Sequence, residues 1–468
     1  MIPYPYLPLN IRAYQLMLHG MQALARAEQQ GLRVNTEYCQ RQKDHLTKRI
    51  SRLECQLKDT KFYRHWEHTT GGKVNIHSNA QLSRFLYTIK KLEPARKTDT
   101  GQGSTDEEAL KALGLPELDL LLQIRKLQKV RDTYLDAFMR EQVRGYVHPF
   151  YNLHLVRTYR SSSDSPNFQN IPKRDEEAMQ LTHKALYPRP RHQILEVDFS
   201  GLEVRIAACY HHDQNMLRYI NNPGSDMHLD MAKQLFRMSQ IDQHTEWGNI
   251  LRQAAKNGFV FPEFYGDYYG NCARGIVDWV KLPQGRWTAG MGIDLEQGKI
   301  SGHMLDVGIK SFNHFTDHVK EVEKDFWNNR FQEYAQWKER WWRDYQKKGY
   351  IDMLSGFRCS GVMSHNDCIN YPIQGAAFHC LLWCFVKLDK IMREEGWDTR
   401  LVGQIHDDII LDVEPKELDH VARTVHRVTT LDLRKAWSWV ITGLDVKAEL
   451  SPVDGSWAEK KYYELPDY

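Results

Sequence analysis

The stretch IHDDIILDV, from Ile405 to Val413, sets two adjacent carboxylates among residues that belong in a core. Ionised acids seldom sit beside buried strand residues unless a cation or a donor meets them. The flanking runs LVGQI (401–405) and IILDV (409–413) read as the arms of a hairpin, with His406, Asp407 and Asp408 at or beside its bend. Alone, the triplet fits a metal site or a plain polar turn.

A second strand supplies a partner. In ILEVDFS (194–200), Leu195, Val197 and Phe199 alternate with Glu196 and Asp198, and Ser200 reads as the N-cap of a helix carrying Leu202, Arg205, Ile206 and Cys209. Asp198 ends its strand and Asp407 stands at a bend, both points where a rigid sheet can hold a carboxylate at its polar edge. Oxygen-only ligation of this kind suits Mg²⁺. Two such ions roughly 4 Å apart can activate an attacking oxygen and neutralise a leaving one in phosphoryl displacement. A metal phosphohydrolase would use the same parts.

The third ingredient is RQAAKNGFVFPEFYG (252–266). Arg252 and Lys256, four residues apart, share a helix face and can hold a triphosphate, and the lysine can protonate departing pyrophosphate. Phe259, Phe261, Phe264 and Tyr265 offer flat surfaces for a base pair. Read by itself, the segment is equally a surface helix with a buried aromatic end.

A chain of 468 residues allows two or three structural units. No apolar run reaches the length of a membrane span, and MIPYPYLPLNIRAYQ lacks the order of a secretory signal, so a soluble cytoplasmic protein without membrane association is expected. Eight scattered cysteines without a C-x-x-C pair suit reduced thiols, and Cys380 and Cys384 beside His379 read as core rather than half a metal site. The net charge of +3 is weak, but residues 41–64 carry eight Lys or Arg against three acids. With Leu46, Ile50, Leu53 and Leu57 at helical spacing, that is an amphipathic helix with a basic face.

Further helices are expected over 11–30, 79–91, 118–138 and 376–391, with Ser104-Thr105-x-x-Glu108 as a helix start. Residues 215–348 are helical in pattern apart from a Gly-rich, aromatic segment at about 267–305, and Phe331, Tyr334, Trp337, Trp341 and Tyr345 form a stripe read as core. The fold class is α+β, a small antiparallel sheet with helical lobes around it.

Taken in order, DFSGLEVR (198–205), RQAAK…FYGD (252–267) and QIHDD (404–408) resemble the three polymerase motifs of family A DNA polymerases. RTYRSSSDSPNFQNIPKR (157–174) is similar to that family's TGR…SS…PNLQNIP…R segment, and DMH (226–228) to its D-I-H step. SGFR (355–358) and NYPIQGAA (370–377) are similar to its G-R-R and N-x-P-x-Q-G segments. The resemblance implies a right-hand architecture: an antiparallel-sheet palm over 139–214 and 349–468, helical fingers over 215–348, a helical thumb over 39–138, and a leading helix within 1–38 packing on the palm.

It also implies template-directed addition of deoxynucleotides (dNTP) to a primer 3′-hydroxyl on primer–template DNA, with two Mg²⁺ ions for which Mn²⁺ can substitute. Asp198 and Asp407, with the main-chain carbonyl of Phe199, would ligate both ions, and Asp408 would be an auxiliary acid. Glu203 would obstruct a 2′-hydroxyl. His228, Arg252 and Lys256 would hold the phosphates, Phe261 would stack near the incoming sugar and base, and Tyr265 would guard the template position. Arg160, Arg174, Arg358, Asn370, Gln374 and His406 would touch or support the primer–template, partly in the minor groove, where base pairs look alike. The basic helix then becomes a contact to duplex backbone.

Three features depart from the family. Asp408 replaces a glutamate. Lys256 and Phe261 are five apart instead of four, which on a regular helix turns Phe261 by about 100°, so a π-bulge near Asn257-Gly258 is expected. The segment at 267–305 is longer than the family needs. The thumb-like region begins almost at residue 1 with no acidic cluster before it, so no 3′→5′ exonuclease is expected in this chain. A separate exonuclease or processivity subunit is a candidate partner, and the wording FVFPEFYG resembles phage-encoded members. A single-subunit RNA polymerase is the rival enzyme, opposed by Glu203 and Phe261. A catalytically silent primer–template binding protein is opposed by the retained Asp198, Asp407 and Lys256.

Overall fold

Alternation along residues 193–199 builds the centre of the molecule. The computed structural model describes residues 10–94, 97–98, 101–173, 175–222 and 224–468, so Arg174, a residue expected to touch DNA, lies outside the described residues. Strands β1 (Gln193–Phe199), β2 (Arg400–Ile405), β3 (Asp408–Val413), β4 (Val446–Leu450) and β5 (Lys461–Tyr463) form an antiparallel sheet in the order β5-β4-β1-β3-β2. Side chains on a strand alternate between faces. Leu195, Val197 and Phe199 join Ile409, Leu411 and Val413 in one core, while Ile194, Val402 and Ile410 enter a second core on the other face.

The helices that position the site are α1 (Ile11–Gln30), α2 (Thr36–Lys58), α3 (Leu202–His211), α4 (Met227–Leu235), α5 (Glu246–Ala255), α6 (Tyr269–Trp279), α7 (Gln332–Lys348) and α8 (His365–Glu395). Helix α1 is capped by Asn10, which accepts from the Ala13 N–H at 2.9 Å. It lies against α8 at Gly20, where a Cβ would come within 2.8 Å of Leu382, and the Arg26 guanidinium forks onto Asp389 at 2.7 and 2.6 Å. The expected basic helix over 41–64 is two helices. Helix α2 ends at Lys58, and Thr60 caps the next by accepting from the Tyr63 N–H at 3.1 Å. Its basic face is divided: Lys43 pairs with Asp136 and Arg49 with Glu177, while Arg41, Lys48 and Arg52 are exposed.

Two expected caps move by one or two residues. Gly201, at φ 61°, precedes α3 in place of Ser200, whose hydroxyl caps nothing and whose N–H pairs with the Asp445 carbonyl at 2.9 Å. Asp106 starts the helix expected at Ser104, accepting from the Ala109 N–H at 2.7 Å while the Ser104 hydroxyl donates to it.

The larger correction concerns α8, which runs 31 residues through Pro372 instead of starting near 376. A proline inside a helix leaves the carbonyl four residues back without its donor. Here the Trp341 indole N–H takes the Cys368 carbonyl at 3.1 Å, and the helix continues. Phe331, Tyr334, Trp337 and Tyr345 are buried, so the stripe is core. Cys380 and Cys384 are likewise fully buried among apolar residues. Among the described residues no helix is long and apolar enough to cross a membrane.

Candidate active site

Asp198, near the end of β1, and Asp407, in the turn before β3, lie at the same end of these two adjoining inner strands. Strands β2 and β3 are joined by the two-residue turn His406-Asp407, with His406 at φ 51°, and the Phe199 N–H donates to the Asp407 carbonyl at 3.3 Å. Burial pushes the Asp407 carboxyl up to about 6, with Glu203 and Asp198 adding to the rise and Arg160 and Lys173 opposing it. Asp198 is raised as well by partial desolvation, with Lys173 opposing and Glu196 adding, although its side chain is open to solvent. Asp198 adds to the rise at Asp407 because ionised carboxylates near each other repel, and a divalent cation relieves that repulsion. The main chain of Phe199 runs directly beside them, its ring buried in the core.

Asp408 stands opposite Asp198 in the ladder and is buried. The Lys173 ammonium bonds it and also reaches Glu196 at 3.0 Å. Lys173 was not picked out from the sequence, although it lies inside the quoted 157–174 segment.

The nucleotide-type residues gather around the end of α5. Five residues, Lys256–Val260, form a π-helical turn, and the Phe261 N–H donates to the Lys256 carbonyl. The turn takes in Asn257-Gly258, where the departure from the family's spacing led one to be expected. It brings the Lys256 ammonium within 5.3 Å of the Phe261 ring centre, and His228 meets the same ring edge-on at 5.6 Å. Arg252 donates to Asp226 at 2.6 Å, and Asp226 caps α4 by accepting from the Leu229 N–H at 3.0 Å. Burial, with Arg252 and Lys256 nearby, pushes His228 down to about 4, so its imidazole is neutral at physiological pH.

The Tyr265 hydroxyl donates to Glu203, whose other oxygen faces Arg160 at 3.3 Å, and the Asn370 amide donates to the Tyr265 carbonyl at 3.2 Å. Glu203, Phe261, Tyr265, Tyr334 and Asn370 line one small cavity. The long segment after Tyr265 has a structural place: α6 packs on the π turn so closely that a Cβ on Gly258 would come within 2.9 Å of the Ile276 nitrogen.

Arg160, Gln374 and His406 line a single groove together with Gln169, Tyr371 and Gln404. The Gln404 side-chain oxygen Oε1 accepts from the Ser161 hydroxyl at 2.6 Å and the Gln169 side-chain amide at 3.0 Å. Gln169, Tyr371 and Gln404 were missed, although all three sit within the quoted segments. Arg358 lies outside this groove. Its guanidinium is held on its own hairpin by Asp352 at 2.6 Å and over Tyr350 at 3.7 Å, and its carbonyl accepts from Tyr159, the neighbour of Arg160.

A second acidic group sits at the far end of β1 and β3. His192, Asp398 and Glu414 offer ligand-type atoms within 4.8 Å of one another and could hold a metal, the one such group among the described residues. Arg189 already occupies an Asp398 oxygen there at 3.1 Å.

The sequence matches the profile of DNA polymerase family A over residues 36–439. It is 26% identical over 457 residues to DNA polymerase I of Chloroflexus aurantiacus and 27% identical over 421 residues to that of Geobacillus stearothermophilus. These matches take in 94% and 86% of this chain but 42% of each relative, so the chain spans less than half of their length. Among solved structures, the POL domain of Pol1 from M. smegmatis, in complex with DNA primer-template and dNTP, has a similar fold. Its TM-score is 0.72 at 21% identity, covering 95% of this chain and 70% of that one.

Proposed function

Because the chain belongs to DNA polymerase family A, we propose that it is a template-directed DNA polymerase that adds deoxynucleotides to a primer 3′-hydroxyl. The observation that carries this reading is that Asp198 and Asp407 lie at the same end of the adjoining strands β1 and β3, with the Phe199 N–H bonded to the Asp407 carbonyl. A pair of divalent ions, Mg²⁺ with Mn²⁺ as a substitute, would be held by Asp198, Asp407 and the Phe199 carbonyl. When bound it supplies Lewis-acid activation of the attacking oxygen and neutralisation of the leaving one.

The chain's own residues do the rest by positioning, which is where most of the catalysis of phosphoryl transfer lies. Arg252, fixed by Asp226, and Lys256 face the triphosphate, and Lys256 delivers a proton to departing pyrophosphate. Neutral His228 donates to a phosphate oxygen without adding charge. Phe261 packs on the incoming sugar and base. Glu203, held by Tyr265, fills the space a 2′-hydroxyl needs, which selects deoxynucleotides. Tyr265 covers the template position. Arg160, Gln374 and His406 contact the primer–template along their shared groove, Asn370 steadies Tyr265, and Arg358 supports the primer side through its hairpin. Exposed Arg41, Lys48 and Arg52 on α2 contact duplex backbone without reading sequence.

Extension of a labelled primer on a template of known sequence, with each deoxynucleotide and ribonucleotide offered singly, tests the reading. Addition of the complementary deoxynucleotide alone is expected. Addition that ignores the template, or prefers ribonucleotides, overturns it.

A further inference from the structure

We propose, resting on the polymerase reading, that Lys173 is a positioning residue: a resident counter-ion that holds Asp408 and leaves the metal pair to Asp198 and Asp407. The register of β1 and β3 sets Asp198 directly opposite Asp408, with Ile410 opposite Glu196 two residues along the same face. Like charges facing each other across a strand pair repel. Glu196 and Asp408 are also only 5% and 3% exposed, and buried acids need a partner.

Glu196 has partners of its own. One of its oxygens takes the Trp457 indole N–H at 2.6 Å and the Lys460 ammonium, which also reaches Glu449 at 2.9 Å. Asp408 has Lys173. The lysine therefore does for Asp408 what a metal ion would otherwise do. Asp408 faces Asp198 across the ladder and follows Asp407 in the chain, so its counter-ion sits next to both proposed ligands.

A fixed ammonium inside the acid cluster repels incoming divalent ions, so Lys173 sets how much Mg²⁺ the enzyme needs. Mn²⁺ binding to the full chain, without DNA or nucleotide and followed by the paramagnetic signal of the free ion, isolates this effect from activity. Lys173→Met is expected to bind Mn²⁺ about three- to tenfold more tightly, the effect of removing one partly screened charge. Lys173→Arg, which keeps the charge, is expected to stay close to wild type. In primer extension the Mg²⁺ concentration for half-maximal rate falls by a similar factor in Lys173→Met, while the KM for nucleotide does not move.

Mn²⁺ affinity in Lys173→Met equal to or below that of wild type overturns the proposal. Asp407→Ala separates the two readings. If it loses Mn²⁺ while Lys173→Met is unchanged, only the counter-ion role fails. If it binds as wild type does, the metal pair itself fails. Should Lys173→Met not fold, Lys173→Gln is measured in its place and read the same way.

Discussion

Phe261 follows Lys256 by five residues and is joined to it across a π turn: its N–H donates to the Lys256 carbonyl, and the lysine ammonium stands 5.3 Å from its ring. The extra residue is absorbed by the wider turn, so both side chains return to the face where Arg252 and His228 lie. Gly258 makes the turn possible against α6. A Cβ there would meet the Ile276 nitrogen and Cγ1 at 2.9 Å, whereas one on Gly275 would meet the Gly258 Cα at an ordinary 3.5 Å. Gly258→Ala is expected to cost about 1–3 kcal/mol in denaturant unfolding and to raise the KM for nucleotide. Gly275→Ala is expected to change neither by much.

Asp198→Ala and Asp407→Ala should each lower the primer-extension rate by about a thousandfold or more, about 4 kcal/mol of barrier. Neither residue is part of a core, so melting temperature should not fall in step. Rapid-quench measurement of single additions reads the rate directly. A variant within tenfold of wild type would remove that acid from the site.

Glu203 is pinned from two sides, by the Tyr265 hydroxyl and by Arg160 at 3.3 Å. Its rigidity is what would exclude a 2′-hydroxyl. Glu203→Ala is expected to raise ribonucleotide use relative to deoxynucleotide use by about tenfold or more, a discrimination of about 1.4 kcal/mol. Tyr265→Phe, which frees Glu203 without removing it, should give a smaller change of the same sign. The ratio of kcat/KM values for the two sugars measures both.

A buried carboxyl in the fingers gives a pH prediction. Glu263 is 1% exposed and accepts from the Trp327 indole at 2.7 Å. Burial pushes it up to about 8 from an ordinary 4.5. The folded chain therefore keeps a proton that the unfolded chain releases between those values, and stability falls as pH rises through that window. Lys338 is pushed down to about 8 by burial, so its own contribution lies at higher pH. Glu263→Gln removes the falling slope, and its melting temperature should gain on wild type steadily from about pH 5 to pH 8.

The Trp341 indole satisfies the carbonyl that Pro372 leaves unpaired in α8. Trp341→Phe keeps the ring and removes the donor. The expected loss is about 1–2 kcal/mol, the cost of one unpaired buried carbonyl, visible in equilibrium unfolding.

What could be read from the chain followed the range of the physics involved. The strand at 193–199 rests on period-two alternation and the hairpin at Asp407 on two short apolar arms flanking a polar bend, both local signals, and both elements are present. The π turn was legible from the resemblance to the family, in which the lysine and the aromatic are four residues apart, so that the fifth residue between Lys256 and Phe261 had to be absorbed. Helix α8 was cut short because Pro372 is a local stop signal, and its rescue comes from Trp341 on another helix. Lys173 went unnoticed because Glu196 and Asp408 become neighbours only through strand register. The segment at 267–305 had no readable role for the same reason: Gly258 against Ile276 is a contact between glycine and backbone, which leaves no trace in composition or periodicity.

The central claim is that Asp198 and Asp407 share a pair of divalent ions. Diffraction from crystals of the chain with primer–template and an incoming nucleotide, collected at the manganese absorption edge, locates those ions without reference to activity. The account predicts two anomalous peaks about 4 Å apart, both within bonding distance of Asp198 and Asp407. Peaks only at other carboxylates, such as Asp398 and Glu414, with nothing between Asp198 and Asp407, would contradict it.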